Sequence, residues 1–168
     1  MPYETAIRLL PPFGLLDTRV DASALPSIEA ALGFGLPTEP NTVSQRGQML
    51  ALWLGPDEWL LRTSDGAELA WAARLREALI GLHGAVTPVT DAYAIFEIGG
   101  AEAREVLRQG TAIDLHPSVF GPGRCARTRF AKTRALLHHT GAESSYHVYV
   151  PRSYADYFLH WFERARGG

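Results

Sequence analysis

One cysteine, one lysine and two methionines are all that 168 residues hold of those types. A lone Cys125 makes no internal disulfide, which separates the chain from small disulfide-stapled scaffolds and fits a reducing cytoplasm. No apolar run approaches the roughly 18 residues that cross a bilayer. The opening MPYETAIRLLPPF lacks the charged and apolar regions of a secretory leader. Strong motifs are missing too: there is no GxGxxG after a strand, P-loop, GxSxG elbow, HExxH or CxxC. Disorder is excluded by 46% hydrophobic content and 10% aromatics at a net charge of only −2. A chain of this length buries roughly 70% of its unfolded surface without disulfides or structural metal. One domain over 1–168 is expected.

The small net charge conceals an uneven one. Residues 1–103 carry six arginines against thirteen acids, and residues 104–168 carry ten basic residues against five acids. Between 104 and 134, Arg104, Arg108, Arg124, Arg127, Arg129, Lys132 and Arg134 face only Glu105 and Asp114. Such a stretch suits an acidic partner, a phosphate-bearing cofactor or a nucleic acid, or it is a solvated face whose arginine stems cover apolar surface. Nucleic acid is disfavoured. The isoelectric point is near 6.3, and Phe120 and Phe130 are the only aromatics in that stretch.

The pattern predicts a strand over Ile7–Leu10, a helix from a cap at Asp21 or Ser23 to Leu32, and a polar loop over 37–45. Met49–Leu54 and Trp59–Arg62 read as a hairpin about Gly55-Pro56-Asp57. A helix follows over 66–82, burying Leu69, Ala72, Ala73, Leu75, Leu79 and Leu82. Further strands are expected at Val86–Thr90 and Tyr93–Ile98, then a helix over Ala101–Gln109 and an ordered apolar loop. Arg124–Phe130, Ala135–His139 and Tyr146–Val150 complete the strands. A last helix runs to Arg164 and buries Tyr157, Phe158 and Trp161. Strand, turn, strand and helix occur in 49–80 and again in 135–164. Together these features predict an α+β fold of mixed or antiparallel sheets with helices on one side and a duplicated strand-strand-helix plan.

Candidate chemistry is sparse. His138 and His139 are neighbours in a strand and point to opposite faces, so they do not share a metal with His116 and His147, and no metal site is expected. His116 is expected to donate to backbone within its loop. Cys125, between Arg124 and Arg127, would need a nearby histidine to act as a nucleophile and reads more simply as a buried strand residue. Asp91 and Asp114 are candidate acid–base groups, with a turn role expected for Asp91. Trp53, Trp59, Trp71 and Trp161 lie on apolar faces.

The segments LGPDEWLL, IDLHPSVFGPG, RCARTRFAK and VPRSYADY, in this order over about 50–162, resemble the gamma subunit of heterotetrameric sarcosine oxidase. The resemblance implies a fold similar to the folate-binding domain of the glycine-cleavage T-protein. It also implies alpha, beta and delta partner subunits in a cytoplasmic bacterial complex that oxidatively demethylates sarcosine. FAD, FMN, NAD, tetrahydrofolate and zinc would belong to those other chains, and no catalytic residue, bound cofactor or metal is expected here.

The expected role is therefore assembly. Trp53, Trp59, Arg124, Arg127, Arg129 and Lys132 are the candidate partner-interface residues, arginine being suited to bidentate pairing with carboxylates. An exposed apolar patch is expected at Leu52, Trp53, Leu54, Val119 and Phe120, with self-association of the isolated chain as its consequence. The alternative is a stand-alone folate-binding or one-carbon transfer module.

Overall fold

The computed structural model describes residues 2–141 and 144–167. The chain divides into two compact units, residues 12–90 and residues 1–11 with 91–168. Each has its own antiparallel sheet and its own apolar core.

The unit of residues 12–90 contains β2 (Gly14–Val20), α1 (Leu25–Leu32), β3 (Val43–Arg46), β4 (Met49–Gly55), β5 (Glu58–Thr63), α2 (Glu68–Ala78) and β6 (Gly84–Pro88), in the sheet order β3-β4-β5-β2-β6. Leu16, Val20, Ala51, Trp59, Leu61 and Val86 turn from the strands toward Ile28, Leu32, Ala72, Leu75 and Leu79 of the helical segments. Period-2 and period-3.6 apolar positions meet in that layer.

The other unit contains β1 (Ala6–Leu9), β7 (Tyr93–Gly99), α3 (Ala103–Arg108), β8 (Cys125–Phe130), β9 (Thr133–His139), β10 (Ser145–Pro151) and α4 (Ala155–Ala165). Its sheet order is β1-β7-β10-β9-β8. Phe96, Phe130, Phe158 and Phe162 are fully buried at its centre. The Phe130 ring lies 5.7 Å from Phe158, 5.1 Å from Trp161 and 5.9 Å from Phe162. These are the spacings of tilted and edge-to-face aromatic pairs.

The duplication is more complete than strand-strand-helix. Strand, helix, three strands and a helix run from β2 to α2 and again from β7 to α4. Reading one sheet as β3-β4-β5-β2-β6 and the other as β8-β9-β10-β7-β1 matches them strand for strand. The fifth position is filled by β6 in the first and by the N-terminal β1 in the second.

Several local expectations fail for physical reasons. The N-cap of α1 is Ala24, with no side-chain capping bond from Asp21 or Ser23. Pro26, in the first turn, has no N–H to cap. Residues 43–46 form a strand where a loop is expected, because pairing with β4 overrides their polar composition. In α2 only Ala72 and Leu75 are buried. Leu69, in its first turn, is 67% exposed, and Leu82 lies beyond its end. In α4 Phe162 joins Phe158 in the core, while Tyr157 and Trp161 are half-buried against it.

Candidate functional site

The antiparallel β8–β9 hairpin brings the basic stretch into one place. Its register sets Arg127 opposite Leu136 and Arg129 opposite Arg134. Alternation turns Arg127, Arg129 and Arg134 to one face of the sheet, and all three are exposed. Lys132, in the connecting turn, stands apart with its ammonium 5.8 Å from the Tyr157 ring centroid. Arg124 precedes the strand and is half-buried. Its carbonyl accepts the His139 amide at 2.9 Å. Arg127 and Arg129 thus share a face, and the third arginine beside them is Arg134 rather than a neighbour on the same strand. Only the hairpin register reveals it.

The tryptophan half of the expected interface needs correction. Trp59 is 2% exposed, and its indole N–H donates to the Pro37 carbonyl at 2.8 Å, so it is a core residue with no surface to offer. Trp53, opposite it across the hairpin, is half-buried. The expected apolar patch does not exist as a patch. Leu52, Leu54 and Phe120 are buried, Trp53 is half-buried, and Val119 alone is exposed, at 54%. Leu52 and Leu54 lie in β4, which is buried along its length apart from half-buried Trp53, as its apolar run without alternation suits.

On the face shared with Arg127, one polar row crosses the sheet. Arg8, Glu97, His147, His138 and Cys125 occupy successive registered positions on β1, β7, β10, β9 and β8. Arg8 donates to Glu97, and His147 Nε2 lies 3.7 Å from the same carboxylate. The Arg8 hydrogen bond, reinforced by the charges of Arg8 and His147, holds the Glu97 carboxyl below the usual carboxylate range against the opposing effect of burial. The His138 and His147 rings meet edge to face at 5.9 Å. His139, on the opposite face, stacks on Tyr146 at 4.5 Å, as strand alternation requires. Burial of Tyr146 raises its phenol above the ordinary tyrosine value. The row ends at Cys125, which has no exposed surface, so its thiol is shielded from any substrate arriving from solvent.

A hollow of ≈ 430 Å³ opens beside α3, lined among others by Arg104, Glu105, Arg108, Thr111, Asp114 and His116. Its polar groups satisfy each other. Glu105 pairs with Arg108 at 3.2 Å and with Arg104 at 3.8 Å, and Asp114 accepts the His116 amide at 2.8 Å as an Asx turn. The His116 Nδ1 faces the Ser118 hydroxyl at 2.7 Å and accepts the Ser118 amide, where donation to backbone is expected. Asp91 makes no side-chain turn bond among the described residues. Its carbonyl accepts from Arg152, while Thr90 Oγ1 receives the Leu15 amide. Among the described residues no three or more His, Cys, Asp or Glu side chains gather as a metal site, and no helix is long and apolar enough to cross a membrane.

Comparison with known proteins gives this geometry its context. The family model "Sarcosine oxidase, gamma subunit family" matches residues 17–167. The sarcosine oxidase subunit gamma of Arthrobacter sp is 36% identical over 151 residues, which are 86% of this chain and 73% of that protein. Among solved structures, a chain of the heterotetrameric sarcosine oxidase from Corynebacterium sp. U-96, in complex with pyrrole 2-carboxylate, superposes with TM-score 0.89 at 30% identity. It covers 96% of this chain and 83% of that one. The glycine cleavage system aminomethyltransferase T from Bartonella henselae shares the fold with TM-score 0.70 at 12% identity, over 96% of this chain and 46% of its own.

Proposed function

The chain belongs to the sarcosine oxidase gamma subunit family, and from that membership we propose that it is a non-catalytic assembly subunit of a heterotetrameric sarcosine oxidase. On this reading its partners are alpha, beta and delta subunits. The oxidative demethylation of sarcosine, with its FAD, FMN, NAD, tetrahydrofolate and zinc, belongs to those chains. The observation that carries the reading is the match, over 96% of this chain, to one chain of a solved heterotetramer. The internal ties of the hollow beside α3 and the complete burial of Cys125 support a role outside catalysis. Likeness to the aminomethyltransferase concerns the fold, and fold alone does not bring a folate site with it.

Within the subunit reading, Arg124, Arg127, Arg129 and Lys132 remain the proposed partner contacts, with Trp53 beside the β4–β5 turn and Trp59 withdrawn. Arginine forks pair bidentately with carboxylates, which gives such a contact direction as well as strength. The test is co-expression of the tagged chain with alpha, beta and delta chains from the same source, followed by co-purification. The wild-type chain is expected to bring all three down, and the Arg127→Glu/Arg129→Glu variant is expected to lose them. Full recovery of the tetramer with both charges reversed would exclude this face as the interface.

A further inference from the structure

Arg129 and Arg134 stand directly opposite each other on an antiparallel pair. Donation from the His139 amide to the Arg124 carbonyl fixes the hydrogen-bond alternation of the hairpin. Phe130 and Thr133 therefore exchange ladder bonds, and Arg129 with Arg134 forms the closer, non-hydrogen-bonded kind of pair. Cβ atoms in such pairs are about 4.5–5.5 Å apart, and like charges placed there destabilise the strand pair. Neither arginine has an acidic partner among the described residues. Arg127, itself exposed, adds a third positive charge on the same face.

The duplication supplies an internal control. The β3–β4 hairpin has the same two-residue turn, with Arg46 opposite Met49 where β8–β9 has Phe130 opposite Thr133. One step further along, Gln45 faces Leu50 at the position equivalent to Arg129 and Arg134. The hairpin geometry thus forms without paired arginines, and the charge conflict is a property of this sequence rather than of the fold.

We propose that the Arg129–Arg134 pair is a receptor for side-chain carboxylates of a partner subunit, which neutralise a repulsion that the isolated chain tolerates. The inference rests on the assembly reading above and names the chemistry of that contact. Two forks converging from neighbouring strands present donors to one or two carboxylates at once, as an acidic protein segment would offer them. A nucleic acid fits less well, because the rings on this face, His138, His147 and Tyr149, are buried and leave a base nothing to stack on, and the nearby Tyr157 ring is already under Lys132.

The design predicts opposite signs for stability and assembly. Arg134→Thr and Arg129→Thr are each expected to raise the Tm of the isolated chain at low salt, and the rise should shrink in 0.5 M NaCl, where charge repulsion is screened. The same variants should weaken binding to the co-purified partner chains about tenfold or more, in line with loss of a charge-assisted hydrogen bond. Arg164→Gln, an exposed site on α4, serves as the control and should change neither quantity. If the wild-type tetramer forms and both threonine variants join it with unchanged affinity, the receptor is disproved while the assembly reading stands. A wild-type chain that binds no partner chain overturns the assembly reading, and the receptor with it. A lower Tm in both variants would make the arginines structural and also overturn the proposal. So would binding of a labelled DNA oligonucleotide that is lost in the variants while assembly is intact.

Discussion

Gly110→Ala should destabilise the chain although its backbone asks for nothing special. Gly110 has no positive φ, so an alanine fits the local conformation. By that criterion alone the substitution would stabilise by about 0.4–1 kcal/mol, because it restricts the unfolded chain. The space around it reverses the sign. A Cβ built on Gly110 lies 2.4 Å from Cε1, 2.5 Å from Cζ and 2.9 Å from Cδ1 of Phe130. Comfortable carbon contacts begin at about 3.5 Å, so the ring would have to retreat by roughly 1 Å. Phe130 is fully buried and flanked by Phe158, Trp161 and Phe162, which leaves it no vacant direction. Overpacking of this kind costs about 1–3 kcal/mol, for a net loss of about 1–2 kcal/mol.

Urea denaturation followed by tryptophan fluorescence measures it, with an expected midpoint shift of roughly 0.5–1 M at a slope of about 2 kcal/mol/M. Phe130→Leu in the same background is the decisive companion. The smaller side chain makes room for the added methyl, so the double variant should be more stable than the two single losses predict, by at least about 0.5 kcal/mol. Additive losses, or an unchanged midpoint in Gly110→Ala, would refute the steric account. Because Phe130 closes the β8–β9 hairpin and the Ala131 amide donates to the Gly110 carbonyl at 2.7 Å, the same variant should also loosen the arginine face.

Three further perturbations test other parts of the structure. Trp59→Phe keeps the ring in the core but removes the donor to Pro37; leaving that carbonyl unpaired should cost about 1–3 kcal/mol in thermal or urea unfolding while partner co-purification is unaffected. Glu97 is held below the usual carboxylate range in the folded chain, so its pairing contributes fully above that range and is lost as pH falls through the lowered value. Glu97→Gln should therefore flatten the acid limb of stability against pH, and an unchanged limb would show that the Arg8–Glu97 pair does not govern it. Ala131 is left-handed at φ 48° in the turn where the matching β3–β4 hairpin uses Gly47 at φ 58°. Relief of about 1–2 kcal/mol of left-handed strain, against about 0.5–1 for glycine's greater flexibility, gives Ala131→Gly a net gain of roughly 0.5 kcal/mol, readable as a higher Tm.

Elements with strong local signals are legible in the residues themselves. Gly33 ends α1 at φ 81°, Gly55-Pro56-Asp57 marks the turn between β4 and β5, and the apolar strand runs at 49–54 and 59–62 lie in sheet. What a single strand's pattern does not carry is who stands beside it. Val43–Arg46 shows no strand signature because an edge strand takes its order from its neighbour. Leu52 and Leu54 look like exposed turn residues when judged by proximity to Pro56. Both are buried in β4, between β3 and β5, and that pairing is something periodicity does not encode.

Register is also what separates the legible part of the candidate site from the rest. Alternation alone puts Arg127 and Arg129 together, since two residues of one strand need no partner to share a face. Arg134 joins them only if the turn is Ala131-Lys132; a slip of one residue would send it to the core face, against Phe130 and Phe158. The row from Arg8 to Cys125 needs four registers at once, so its five residues are scattered over 118 positions of sequence with nothing local to connect them. Both features differ between two halves that share a sheet order. The repeated fold accounts for the scaffold, and the proposed contact lies where the halves depart from each other, in the charges of the β8–β9 hairpin.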